Sequence, residues 1–266
     1  TGLLTFIGIS AAIIAGSGQP PAVRLLLASI TILLTSAGVN GLTNYLDRHV
    51  DARMERTRNR VLPSGRIRPA EKVLPLLVSL VVIGLVMAWY LNTLGFLFGF
   101  IGTVAALVWR KRATCVFPQG MLASCAPVLI GWFAITSSFR WELLLLCGLV
   151  AIWLPLHVWS IMISHRDDYI NAGLTYFPMN VKAGEAVRVL PPFTLALSLA
   201  AIALYFIGGL TLIYMIGASI LSLVMVYATV RLALFATSHN AWRLYKLSAF
   251  PYLGLLFLAM IIDVSL

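Results

Sequence analysis

An all-α membrane bundle, one domain over residues 1–266 with nine transmembrane helices, is predicted by three observations. The 266 residues are 61% hydrophobic and only 11% charged, whereas soluble domains carry about 25% charged residues. Mean hydropathy is +0.96. Apolar stretches of near-spanning length recur from end to end, at 2–16, 22–46, 73–91, 94–109, 119–137, 141–164, 189–208, 211–235 and 247–265.

The first stretch is short, and because the chain opens at Thr1 rather than Met, further residues are expected ahead of it. No charged leading region or cleavage site marks it as a signal peptide. The second stretch is expected to continue as helix through the polar run behind it, stopping at Pro63, Ser64 and Gly65. Asn92-Thr93 and Gly208-Gly209 mark tight turns at the opposite end. Cys115, Cys125 and Cys147 show no CxxC spacing and are expected to be small packing residues.

The net charge of +10 is distributed unevenly. Of the 19 Lys and Arg, 17 lie in the connections after the second, fourth, sixth and eighth stretches, and only Arg24 and Arg140 lie on the other side. The positive-inside rule makes those four connections cytoplasmic and puts the C-terminus outside. Topology therefore accounts for the charge, and no nucleic-acid partner is expected.

Polar chemistry gathers on that same side. Asn40, Asn44, Asp47 and Asp51 follow one another at helical spacing, which on a continuous helix lines all four along one stripe. Two carboxylates and two amide oxygens form a hard-oxygen set that suits Mg²⁺, and Mg²⁺ is commonly shared with phosphate oxygens. Arg53, Arg56, Arg58 and Arg60 follow at once, with guanidinium groups that grip phosphate in a fork. The sixth stretch ends in a second acidic pair, Asp167 and Asp168, beside His165, Arg166 and Tyr169. Adjacent on a helix, the two Asp point about 100° apart, so one is expected to reach a second metal while the other caps or pairs with Arg166. Two acidic helix ends on one face can bracket a diphosphate through metal ions. Lys111 and Arg112, at the end of the fourth stretch, lie between these motifs in the sequence and read either as topology anchors or as diphosphate contacts. His157 sits about two turns inside the sixth stretch near Trp153, Trp159 and Ser160, where an ionisable side chain is by default a site candidate.

The stretches NYLDRHVDARMERTRNRVLPSGRI and HVWSIMISHRDDYINAG resemble the motifs of the UbiA superfamily of intramembrane prenyltransferases, and within it most closely the branch that acts on heme. KRAT at 111–114, PVLIGWFAIT at 127–136 and LYKLSAFPYLGLLF at 244–257 extend the likeness from residue 22 onward. The resemblance implies nine helices around a laterally open cavity, with farnesyl diphosphate as donor and heme as hydrophobic acceptor. Carried over by position, Asp47, Asp51, Asp167 and Asp168 are implied Mg²⁺ ligands. Arg56, Arg60, Lys111 and Arg112 become diphosphate contacts, and His157 matches a histidine of the heme-type members. Thr43 stands where the family usually has Asn, Val61 where it has Pro, and LTYFP at 174–178 replaces its usual IPMLP. A quinone precursor or a glycerol-phosphate lipid is the alternative acceptor. A membrane transporter is the alternative of another class, and the DGxxAR element of CDP-alcohol phosphotransferases is absent.

Overall fold

Within lipid, every backbone N–H and C=O must find its partner inside the protein, and a helix provides one at each residue. The computed structural model describes residues 2–108 and 118–266, and among them it is helical with no strand. The elements in order are α1 (Gly2–Ala15), α2 (Ala22–Leu46), α3 (Arg48–Asp51), a 3₁₀ turn (Ala70–Val73) leading into α4 (Leu74–Leu91), and α5 (Thr93–Val108). Then come α6 (Gln119–Ile135), α7 (Trp141–Ser164), α8 (Arg166–Asn171), α9 (Ala183–Arg188), α10 (Leu190–Ile207), α11 (Leu212–Leu234), α12 (Ser238–Leu247) and, after a π-helical turn, α13 (Leu255–Ser265). Among the described residues, six helical stretches are long and apolar enough to cross a membrane, and α1, α5 and α6 are apolar but shorter.

Two expectations need correction. The helix of the second stretch ends at Leu46 instead of running on to Pro63. Asp47 adopts φ −89° and ψ 0°, and one further turn, α3, ends at Asp51. In a continuing helix the Glu55 N–H would bond to the Asp51 carbonyl, but Asp168 captures that N–H and the Thr57 hydroxyl occupies that carbonyl at 2.9 Å. A carboxylate is the stronger acceptor, so the helix gives way. The last helical stretch, in turn, begins at Ser238, well before residue 247, because α12 has too polar a sequence to read as a span. A kink over Ser248–Gly254 joins α12 to α13, with Ala249 at ψ −128° and Pro251 inside the turn, where its missing N–H breaks the regular ladder.

Helices α1, α2, α4, α5 and α6 pack on one another, and α7 connects them to α10 and α12, on which α11 packs. The main core holds Trp132, Phe133, Trp153, Tyr214, Tyr252 and Phe257, all buried. Helices in lipid gain by close backbone approach at small residues, and α1 crosses α6 in this way: a Cβ added at Gly131 would stand 2.0 Å from the Gly8 carbonyl oxygen. Exposed Trp89, Tyr90 and Trp141 ring the end opposite the Asp motifs, as aromatic residues do at a membrane interface.

Gly131→Val is expected to push α1 off α6 and destabilise the bundle by about 1–3 kcal/mol, the usual cost of overpacking. Thermal denaturation in detergent measures it, and an unchanged midpoint would contradict the crossing.

Candidate active site

The site lies where α2 and α7 end on the same side of the bundle. Asp47 caps α2, its N–H bonding to the Thr43 carbonyl and its own carbonyl receiving the N–H groups of Val50 and Asp51, both at 2.9 Å. This break rotates the acidic run into the protein. Asp47 is 8% exposed and Asp51 fully buried. Arg60, brought back by the turns at 52–60, places Nη1 3.1 Å from Asp51 Oδ2 and 3.4 Å from Asn44 Oδ1. One guanidinium thus links the first and last thirds of the motif. A buried carboxylate is costly unless hydrogen-bonded to a charge, and the ion pair with Arg60 offsets that cost.

Asp168 joins the two motifs. Its carboxylate accepts the Glu55 N–H at 2.5 Å and the Arg56 N–H at 3.2 Å. The guanidinium of Arg56 donates to the Tyr169 hydroxyl at 3.1 Å. Beneath these bonds Val50, Met54, Met162, Tyr169, Leu174 and Met179 form a small apolar cluster of their own. Arg166 does not pair with either Asp: it donates to the carbonyls of Pro178 (2.8 Å), Met179 (2.9 Å) and Val181, which folds the loop after α8 against the helix end. Asp167 is exposed beside them. Arg48 and the Tyr45 hydroxyl both reach Glu71 at the start of α4, at 3.5 and 3.0 Å, closing the other side.

Inward from Asp47, a cavity of about 420 Å³ opens between α1, α2, α5 and α6. Asn40 and Thr43 form its wall nearest the acidic pair, one to two turns from Asp47. Gly99, Gly102, Gly120 and Ala123 keep its other walls low, and Ile130 and Leu4 line it with apolar surface. The four predicted stripe residues therefore divide their tasks: Asn40 faces the cavity, Asn44 and Asp51 share Arg60, and Asp47 makes the corner.

Deeper in α7, His157 is clamped. The rings of Trp153 and Tyr245 cover its two faces, each centroid 4.5 Å away, and Nδ1 lies 2.9 Å from Ser248 Oγ. Trp153 Nε1 donates to the Ser248 carbonyl at 2.6 Å. The stack continues from Tyr245 to Trp242 at 5.1 Å and from Trp242 to His165 at 5.3 Å. Of the three neighbours expected for His157, only Trp153 meets it: Trp159 turns to Phe177 and Phe193, and Ser160 bonds back to the Leu156 carbonyl. Trp159, two positions on, leaves on another face, whereas Trp153 at i−4 stacks; Ser160 shares the His157 side of the helix but spends its hydroxyl on its own backbone. Tyr245, Trp242 and Ser248 were not identified by motif spacing, because they come from a helix nearly 90 residues away in sequence. Lys111 and Arg112 lie outside the described residues.

The donor set can be tested for a metal. Among the described residues no group of three or more His, Cys, Asp or Glu comes together; the buried Asp47 and Asp51 carry carboxylate oxygens only, which would make an open, oxygen-only partial shell. Such a shell fits an ion that keeps waters and shares phosphate oxygens.

A family model described as the UbiA prenyltransferase family matches residues 3–260. The chain belongs to the UbiA prenyltransferase family. Similar curated proteins include the protoheme IX farnesyltransferase of Desulforudis audaxviator, 31% identical and covering 100% of this chain and 85% of that protein. That of Methylococcus capsulatus is 34% identical over 98% of this chain and 89% of its own length. Among solved structures, the UbiA homolog from Aeropyrum pernix K1 superposes with a TM-score of 0.74 at 18% identity, over 98% of this chain and 97% of that one. The UbiA homolog from Archaeoglobus fulgidus, bound to GPP and Mg²⁺, gives 0.67 at 13% identity, over 100% and 96%. These superpositions share the UbiA fold with the present bundle, and membership places the chain among prenyl-transferring enzymes rather than transporters.

Asp168→Ala removes the acceptor of two backbone N–H groups. Hydrogen bonds to a charged group contribute about 1.5–3 kcal/mol each, so the loop at 52–60 is expected to lose order first. Amide hydrogen exchange at Glu55 and Arg56 should rise at least tenfold, and unchanged protection would refute the bracket.

Proposed function

We propose that this UbiA-family chain, as one prenyltransferase domain, ionises farnesyl diphosphate with Mg²⁺ and transfers the farnesyl group to a vinyl group of protoheme IX, where one water adds to the resulting cation and a proton is lost, giving heme O and diphosphate. The observation that carries the reading is the buried Asp47–Asp51 pair, with Arg60 against it, one turn beyond the wall of an apolar cavity of about 420 Å³. Charge sits at one end and room for a hydrocarbon chain at the other, which matches an amphiphilic prenyl diphosphate. The names of the similar curated proteins support farnesyl as the chain and heme as the acceptor.

Asp47 and Asp51, with the exposed Asp167 as a further carboxylate, would hold Mg²⁺, whose positive charge would favour departure of the diphosphate. Asn40 and Asn44 place amide oxygens beside it. Arg56 and Arg60 grip the diphosphate oxygens and stabilise the negative charge that grows on them as the allylic C–O bond breaks and both electrons leave with oxygen. Lys111 and Arg112 supply further positive charge. Asp168 serves mainly to hold the Arg56 backbone where its side chain can act. The surrounding helices exclude water that would otherwise capture the allylic cation. We place all nine helical stretches across the membrane, the site end on the cytoplasmic side and the C-terminus outside, on the distribution of Lys and Arg.

The acceptor reading centres on His157. With Nδ1 engaged by Ser248 and both ring faces covered, the imidazole would meet iron or a porphyrin edge through Nε2.

Asp47→Ala and Asp51→Ala should each lower transfer of labelled farnesyl by roughly a hundredfold or more, the scale of losing a ligand to a catalytic ion. Chelation should abolish turnover and added Mg²⁺ restore it, with calorimetry showing Mg²⁺-dependent binding of farnesyl diphosphate that both variants lose. Full activity after exhaustive chelation would reject the mechanism.

His157→Ala should weaken heme binding, followed by absorbance, at least tenfold while farnesyl diphosphate binding changes little. Equal heme affinity in both proteins would leave the imidazole as a pin for the α12 kink, and absence of saturable heme binding by the wild type would reject heme as acceptor.

A further inference from the structure

A second recess lies outside the motifs, at the turn from α11 to α12 on the same end of the bundle. It has a volume of about 700 Å³. One side is apolar and faces outward: Tyr227, Val230, Leu234 and Phe235, exposed by 65%, 46%, 71% and 63%. The other side carries Arg231 and His239, both exposed. The recess is preformed, because Asn240, itself buried, donates to the Phe235 carbonyl at 2.9 Å and its N–H bonds to Thr237 Oγ1 at 3.2 Å. His239 opens a basic stripe that continues at Arg243 and Lys246, at i, i+4 and i+7 along the exposed face of α12. Between Glu185 and Asp263 the sequence has no acid at all, and among the described residues no carboxylate forms an ion pair with Arg231 or with any cation of the stripe.

Positive-inside placement explains the sign of this charge but not its union with a recess and an outward apolar ramp. That combination is complementary to an amphiphile with an anionic head, held at the depth where a spanning helix leaves the hydrocarbon. We infer that the recess between α11 and α12 binds an anionic phospholipid, its head group against Arg231 and His239 and its acyl chain along Tyr227, Val230 and Leu234. The site is separate from the diphosphate-binding motifs. It ties the helix that carries Trp242 and Tyr245, and so one wall around His157, to the lipid surface.

The test uses the full chain reconstituted in vesicles of equal phosphatidylglycerol and phosphatidylcholine, extracted into mild detergent, with retained lipid identified by native mass spectrometry. Phosphatidylglycerol should be retained in preference to phosphatidylcholine. Near a membrane surface one basic residue is worth about fivefold in lipid affinity, so Arg231→Gln should reduce that preference about fivefold, and Arg231→Gln with His239→Gln further, while Arg231→Lys keeps it. Raised salt should weaken retention in wild type, and prenyl transfer by the variants in detergent should be unchanged. Equal retention of the two lipids by wild type, or an undiminished preference in a folded Gln variant, would overturn the proposal. So would displacement of the lipid by an equal concentration of inorganic phosphate, which would mark a free-anion site. Should the Gln variants fail to fold, the wild-type lipid ratio and the phosphate competition decide alone.

Discussion

The two hydrogen bonds from the Glu55 and Arg56 backbone to the Asp168 carboxylate are the constraint on which the site end of the bundle depends. They cut α3 short and hold the turns at 52–60 across to α8. By doing so they bring Arg60 back onto Asp51, although a straight helix would have carried Arg60 away from it. The apolar cluster of Val50, Met54, Met162 and Tyr169 fills the space beneath, so the polar contacts rest on a packed base. A lone acceptor would be a weak hinge in water. Backed by that cluster it becomes a bracket, because the turn it holds rests on the buried Val50, Met54 and Tyr169.

The membrane imposes the rest of the arrangement. Irregular backbone is tolerated only where other protein or water can satisfy it, and here the long turns and short helices gather at one end, while the kink at Ser248–Gly254, which lies within a span, is met by α7 side chains. The cavity beside Asn40 and Thr43 is possible because Gly99, Gly102 and Gly120 withhold side chains there. A Cβ at Gly102 would come within 2.4 Å of the Ala126 side chain. The same small residues that let α5 and α6 pack closely therefore also leave the void.

On the other side of α7 the stack of Trp153, His157, Tyr245, Trp242 and His165 runs toward the acidic pair at Asp167 and Asp168. It is anchored by the kink at Ser248, whose hydroxyl and carbonyl are both used by α7 side chains. The kink and the stack depend on each other: Pro251 frees the local backbone from helical pairing, and the ring contacts select one of the shapes this allows.

Composition and pattern by themselves determined that the chain is helical and membrane-embedded, where most of its helices fall, and that charged side chains gather at Asp47, Asp51, Arg60 and the Asp167–Asp168 pair. Those features are local: apolar runs of spanning length and charged groups at helix spacing are written in consecutive residues. Tertiary structure alone decided that the turn of α3 stops at Asp51, that Asp168 brackets a backbone turn while Arg166 holds carbonyls, and that His157 meets Ser248 and Tyr245 in place of Trp159 and Ser160. The Arg166 partners lie 12 to 15 residues on, whereas the other outcomes are competitions between a neighbour in sequence and a partner some 90 to 113 residues away. A helix continues by default until a stronger acceptor takes its N–H, and which acceptor arrives is settled only when the helices have packed.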